Sequence, residues 1–166
     1  ITTLAQSDSD EDTFYAEFLP RVVSALDSLG AAVWTVGEEG LSLRYQINFP
    51  RASLHDDKEQ AQRHYQLLQQ LVADGQSALI PPQSGASDAG EAGNPTEHLL
   101  IIGFVKFEDR PLELIEIFQR PSGGPTTQRG YLRFLAQMCE LAESFVTRKH
   151  LKRFHERELL WDNLEQ

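Results

Sequence analysis

Cysteine is nearly absent from this 166-residue chain. The one thiol, Cys139, excludes an intrachain disulfide, and there is no second Cys for a zinc ribbon or a C-x-x-C redox couple. A reducing compartment is slightly favoured, and the expected location is cytoplasmic. Long apolar runs are missing too. No uninterrupted apolar stretch reaches about 18 residues, and the opening ITTLAQSDSDED has neither a basic region nor a hydrophobic signal core, so no membrane span is expected. Catalytic strings are lacking as well: no G-x-S-x-G, H-E-x-x-H, P-loop or G-x-G-x-x-G occurs. The five histidines (55, 64, 98, 150 and 155) are scattered; His150 and His155, five apart on a helix, do not share a line, and no metal site is expected. The sequence predicts no enzyme.

Positive charge is scarce. Lys and Arg number 15 against 25 Asp and Glu, a net charge of -10, which argues against whole-surface binding to nucleic acid or anionic membrane. The imbalance is uneven: residues 1–125 hold 8 basic and 19 acidic residues, and residues 126–166 hold 7 and 6. With 40% hydrophobic, 9% aromatic and 24% charged residues, the composition is that of a soluble globular chain of about one domain. The start on Ile1, and an apolar stripe reaching Trp161 and Leu164, read as a piece of a longer protein.

Residues 1–12 end in Ser-Asp-Ser-Asp-Glu-Asp and read as an acidic, flexible lead-in to a helix over 13–29. Tyr15, Phe18, Val22, Leu26 and Leu29 give that helix one apolar stripe, Gly30 stops it, and Pro20 predicts a kink or a separate short first helix. AAVWTVG (31–37) and LSLRYQINF (41–49) read as a hairpin around Glu38-Glu39-Gly40. Leu41, Leu43, Tyr45, Ile47 and Phe49 alternate onto one face, and Arg44, Gln46 and Asn48 onto the other. Trp34 shares a face with Ala32 and Val36 and is expected in the core against the terminal helices. A polar loop (50–57) leads to a helix over 58–74 closed by Gly75, then a short strand to Ile80. Residues 81–97, with three Gly and three Pro, read as a mobile loop that shortens without unfolding the domain. HLLIIGFVK (98–106) is apolar on both faces and so a central strand; LELIEIFQ (112–119) returns as its partner. From about Thr126 a helix of some forty residues runs to the end, with Leu135, Met138, Ala142 and Phe145 on one stripe and Leu151, Phe154 and Trp161 on another.

The order predicts an α+β fold: a central antiparallel sheet with N- and C-terminal helices on one face and a connecting helix and loops on the other. The strings LGAAVWTVGEEGLSLRYQINF, HYQLLQQLVADGQSALIPP and HLLIIGFVKFEDRPLELIEIFQRP, followed by a long helix, resemble a GAF domain over residues 13–147, with 148–166 extending the last helix toward a further domain. The resemblance implies a bacterial sensory or regulatory module in signal transduction. GAF domains bind cyclic nucleotides, tetrapyrroles, haem or small metabolites, or serve only as dimerising connectors; which cofactor, if any, is left open. Lys106-Phe107-Glu108-Asp109 does not reproduce the dispersed cyclic-nucleotide signature. A single Cys cannot supply the nucleophile and resolving thiol of the methionine sulfoxide reductases of this fold.

Candidate ligand-binding residues are Glu116, Arg44 and His98. Glu116 shares an apolar strand face with Leu112, Leu114 and Phe118, where a charge needs a partner or a pocket. Arg44 is placed to line a cleft opposite the terminal helices or to sit at a solvated edge. His98, like His64, reads either as a ligand or as a surface or capping residue. Lys149, Arg153 and Arg157 form a basic stripe, solvated or paired with a partner's acids. A homodimer through the first and last helices is expected, because Phe14, Phe18, Val22 and Leu26, with Leu135, Ala142, Phe145, Leu151 and Phe154, offer more apolar surface than one sheet face covers. The attached effector stays open: a kinase, a cyclase or phosphodiesterase, a transcription activator or a secretion adaptor.

Overall fold

The computed structural model describes residues 1–7, 10–49, 57–85 and 92–165. Its elements are α1 (Thr2–Ala5), α2 (Glu11–Leu26), β1 (Gly30–Gly37), β2 (Gly40–Ile47), α3 (Lys58–Asp74), β3 (Ala78–Ile80), β4 (Leu99–Phe107), β5 (Arg110–Gln119) and α4 (Pro125–Glu165). The strands form one sheet in the order β2-β1-β5-β4-β3, every neighbour antiparallel. The α+β architecture expected from the sequence is the one observed. No helix among the described residues is long and apolar enough to cross a membrane.

Local chemistry sets the helix ends. Asp10 accepts from the Thr13 amide at 2.7 Å to cap α2, and Asp57 accepts from Glu59 and Gln60 to cap α3, each satisfying amides that a first turn leaves open. Gly75, at φ 65°, closes α3 in the left-handed conformation. The β4–β5 turn carries positive φ at both Glu108 and Asp109, the requirement of a type I′ hairpin.

Two apolar layers sandwich the sheet. One joins α1, α2 and α4 to Val33, Ile101, Ile115 and Ile117. The other joins Leu67, Leu68 and Leu71 of α3 to Ala32, Leu100, Ile102, Leu114 and Phe118. Phe14, Phe18, Val22, Leu135, Ala142 and Phe145 are wholly buried in the first layer of a single chain. The stripe of the first helix, expected to reach a second chain, is therefore consumed by the chain's own sheet. Exposure begins further along α4, at Leu151, Phe154, Leu159, Leu160, Trp161 and Leu164.

Three further expectations change. Pro20 does not divide α2, which runs unbroken through it; Pro20 lies on the exposed side, while Phe18, Leu19 and Val22 pin the flanking turns to the core. The lead-in is not simply flexible, since Leu4 and Ala5 join the core and Arg148 donates to the carbonyls of Ala5 and Ser7; residues 8 and 9 lie outside the described residues. The 81–97 segment is tied at both ends. Buried Asn94 donates to the carbonyls of Ile80, Pro81 and His98, accepts from Thr96, and stands beside an isolated bridge between Gly85 and Gly93. Residues 86–91 of that loop, and 50–56 of the preceding one, lie outside the described residues.

Gly30 opens β1 where the backbone of β2 passes closest. A Cβ there would stand 2.6 Å from the Ile47 carbonyl oxygen and 2.8 Å from that of Asn48. Backbone in a paired strand cannot rotate away as a side chain does. Gly30→Ala is expected to destabilise the fold by roughly 1–3 kcal/mol, the usual cost of overpacking; denaturant midpoints unchanged within error would show that the strands separate freely.

Candidate functional site

From Leu114 onward the even-numbered residues of β5 face α3, so Leu114, Glu116 and Phe118 lie in the layer beneath that helix, whereas Leu112, expected on the same face, packs in the terminal-helix layer. Glu116 is fully buried, and each carboxylate oxygen has a donor. Trp34 Nε1 donates to Oε1 at 3.0 Å, and His64 Nε2 lies 2.6 Å from Oε2. His64 is brought there by α3 and Trp34 by β1, so one carboxylate ties three elements. Burial pulls the His64 pKa down, but the charge of Glu116 and its hydrogen bond outweigh it, leaving the imidazole above its usual 6.5. Phe49 and Phe118 close the surroundings, Phe49 edge-on to Trp34, His64 and Phe118. His64 is thus neither a surface nor a capping residue, and Trp34 belongs to the α3 layer rather than to the core against the terminal helices.

His98 sits on the same face, half-buried, its ring edge-on to Phe118 at 6.2 Å. Its carbonyl is held by Asn94. Arg44 is elsewhere. The β1–β2 register shifts between Val33 and Trp34, which pair with Tyr45 and Leu43 and leave Arg44 as the extra residue. Such a bulge turns the following side chains onto the other face. Tyr45 and Ile47 accordingly pack in the terminal-helix layer, while Leu41 and Phe49 pack under α3, so the five do not share one face. Arg44 points to the terminal helices, not to a cleft opposite them. Its guanidinium meets Glu113 at 2.5 Å, Asp12 at 2.9 Å and Glu11 at 3.4 Å, over the Tyr15 ring. Burial holds the Glu113 carboxyl above its usual value, although Arg44 opposes the shift. The structure therefore brings Glu116 and His98 to one face and separates Arg44 from both.

Cys139 is buried where Gly103 leaves room. A Cβ on Gly103 would lie 2.7 Å from its sulfur. Burial, with Glu143 and Glu140 nearby, drives the thiol pKa far up, so its nucleophilic form is suppressed. Among the described residues no group of three or more His, Cys, Asp or Glu is placed to hold a metal ion.

An antiparallel five-stranded sheet with terminal helices on one face and a crossing helix on the other is the GAF fold. No family model matches the chain, and no curated protein matches it; the likeness is to solved structures. The A. aeolicus Nlh2 GAF domain, described in an inactive state, superposes with a TM-score of 0.66 at 18% identity, over 89% of this chain and 91% of that one. Residues 122 to 287 of a methyl-accepting chemotaxis protein give 0.64 at 14% identity, over 90% and 96%. The GAF domain of the cyanobacteriochrome TePixJ gives 0.62 at 9% identity, over 89% and 95%.

Proposed function

We propose that the chain is a non-catalytic regulatory module that works through protein contacts made by α4, as a homodimer, rather than through a small molecule held at Glu116. The observation that carries this reading is the enclosure of Glu116, which is wholly buried and holds a side chain of its own chain on each oxygen. A ligand-binding carboxylate presents a free acceptor to its pocket, whereas both oxygens of Glu116 are taken by the chain's own Trp34 and His64. The polar centre of the α3 face is internally filled. On the other face α2 and α4 pack together through Phe14 and Phe145, stacked at 4.2 Å, and α4 continues past the body with an apolar face uncovered. A continuous helix carries a shift in its packing outward, which suits a module that relays a change of state. Kindred folds in a chemotaxis protein and a cyanobacteriochrome accord with such a role.

A thermal-shift screen of nucleotides, haem, bilins and carboxylic metabolites tests the reading. A ligand at a hundredfold excess over its dissociation constant stabilises by about 2.7 kcal/mol, an easily measured rise in melting temperature. The expected screen is silent. A compound that raises the melting temperature, with the rise lost in Glu116→Gln, would establish instead a small-molecule sensor built on Glu116 and its neighbour His98.

A further inference from the structure

We infer that the recess between the β4–β5 turn and α4 is a socket for an acidic segment of another protein that carries an aromatic or large aliphatic anchor. The inference rests on the reading of α4 as the module's contact element and names a partner for it other than a second copy. The recess measures about 550 Å³, with the turn on one side and α4 on the other, a size within the roughly 300–1,000 Å³ of ligand pockets. Its apolar wall is Phe107 of β4 with Leu151 and Phe154 of α4. The Phe107 ring stacks on His150 at 4.7 Å, which fixes that side of the wall. Leu151 and Phe154 are 59% and 62% exposed, so their apolar area faces solvent without cover from the domain.

Charge selects the partner. His150, Arg153, Phe154 and Arg157 follow one another at steps of three, one and three residues, which places them on one face of α4. Arg153 and Arg157 are exposed at the rim of the recess, one helical turn apart. Neither guanidinium has a hydrogen bond, ion pair or ring contact among the described residues. The lining sets one acid, Glu108, against them. The balance is positive on a chain whose first 125 residues hold 8 basic and 19 acidic side chains. Arginines and aromatic rings around a concave apolar floor have the make-up of an interface hot spot, and free guanidiniums take carboxylates in bidentate geometry. A carboxylate-bearing segment is therefore drawn to this place and repelled elsewhere on the body. Nucleic acid offers the same guanidiniums a phosphate, but brings a long run of negative charge against a net charge of -10; a short acidic segment fits better. Leu160, Trp161 and Leu164 lie outside the lining and are left for the homodimer.

Fluorescence anisotropy with the 166-residue chain tests the socket. The probe is a fluorescein-labelled peptide with a Trp-Leu centre between runs of Glu. Its controls are the same peptide with Lys in place of Glu, and one with Gly-Ser in place of Trp-Leu. The parent is expected to bind the acidic probe at least about tenfold more tightly than either control, a difference of about 1.4 kcal/mol. Arg153→Glu with Arg157→Glu is expected to turn the preference to the Lys peptide. Phe154→Ala is expected to weaken the acidic probe about tenfold, the effect of removing a hot-spot side chain. Lys152→Glu, exposed on the opposite side of α4, is expected to leave binding unchanged, which separates the recess from net charge. Far-ultraviolet spectra and melting temperatures matching the parent show each variant folded. A parent that binds no peptide, or binds acidic and Lys peptides alike, overturns the socket, and so does an acidic preference that survives the double exchange. A parent that ignores the probe while Phe154→Ala converts a sedimenting dimer to monomer would assign the recess to a second copy. Displacement of the probe by a short single-stranded oligonucleotide more readily than by unlabelled peptide would assign it to nucleic acid. Each of the last two also overturns the proposal. None of these results moves the ligand screen, whose shift at Glu116 decides the regulatory reading separately.

Discussion

Glu116→Ala is expected to destabilise the fold by about 3–5 kcal/mol, the cost of stranding one member of a buried ion pair. His64 would remain buried with no acceptor for Nε2, and the Trp34 N–H would lose its own. Chemical denaturation measures the loss. Glu116→Gln keeps shape and two polar atoms and separates charge from packing. The charge has a pH signature. The folded pKa of His64 is raised, so the native state holds this proton more tightly than the unfolded chain. The associated stability is fully present below the unfolded value near 6.5 and is lost as pH rises through the higher folded value. The parent is therefore expected to weaken with rising pH above about 6.5, and the difference between parent and Glu116→Gln to shrink over the same window. A difference that grows with pH would reverse the assignment, and Trp34 fluorescence in a Trp161→Phe background would show where the network loosens.

Phe145→Ala is expected to cost about 3–5 kcal/mol, as for other buried Phe truncations. Phe145 is fully buried, stacks on Phe14 at an interplanar angle of 11°, and lies beneath Arg148 and Lys149. Phe154→Ala, nine residues on along the same helix, is expected to change monomer stability by no more than about 0.5 kcal/mol, because its ring is exposed. The comparison fixes where α4 ceases to belong to the body. Equal losses at the two positions would mean that the helix beyond Val146 folds back onto the domain.

The element order was legible because each element obeyed its own period. α3 spans Lys58–Asp74, the helix expected from its stripe and closing Gly75, and β4 with β5 matches the doubly apolar run and its partner. What stayed hidden depends on contacts remote in sequence. The bulge that carries Arg44 to the terminal helices leaves no mark in LSLRYQINF, whose alternation looks clean. His64 lies 52 residues from Glu116, and no spacing rule joins them; the signal was that Glu116 on an apolar face needed a donor. The apolar residues of α2 read as surplus in the sequence because an amphipathic stripe looks the same whether its own sheet or another chain covers it. Excision of Ser84 to Gly93, harmless from composition, would remove the acceptor of the Asn94 amide and both members of the Gly85–Gly93 bridge.

Asn94 gives that segment a further property. Its side-chain amide joins the carbonyls of Ile80, which ends β3, and Pro81 to the carbonyl before β4, so the closure of the loop is made at its base and does not depend on the span between. The domain is thereby insulated from the length of that span: each doubling of a loop closed in this way adds only about 0.6 kcal/mol of chain entropy. Evolution or an engineer can splice new sequence there, a recognition loop or a tag, without altering the register of β3 against β4.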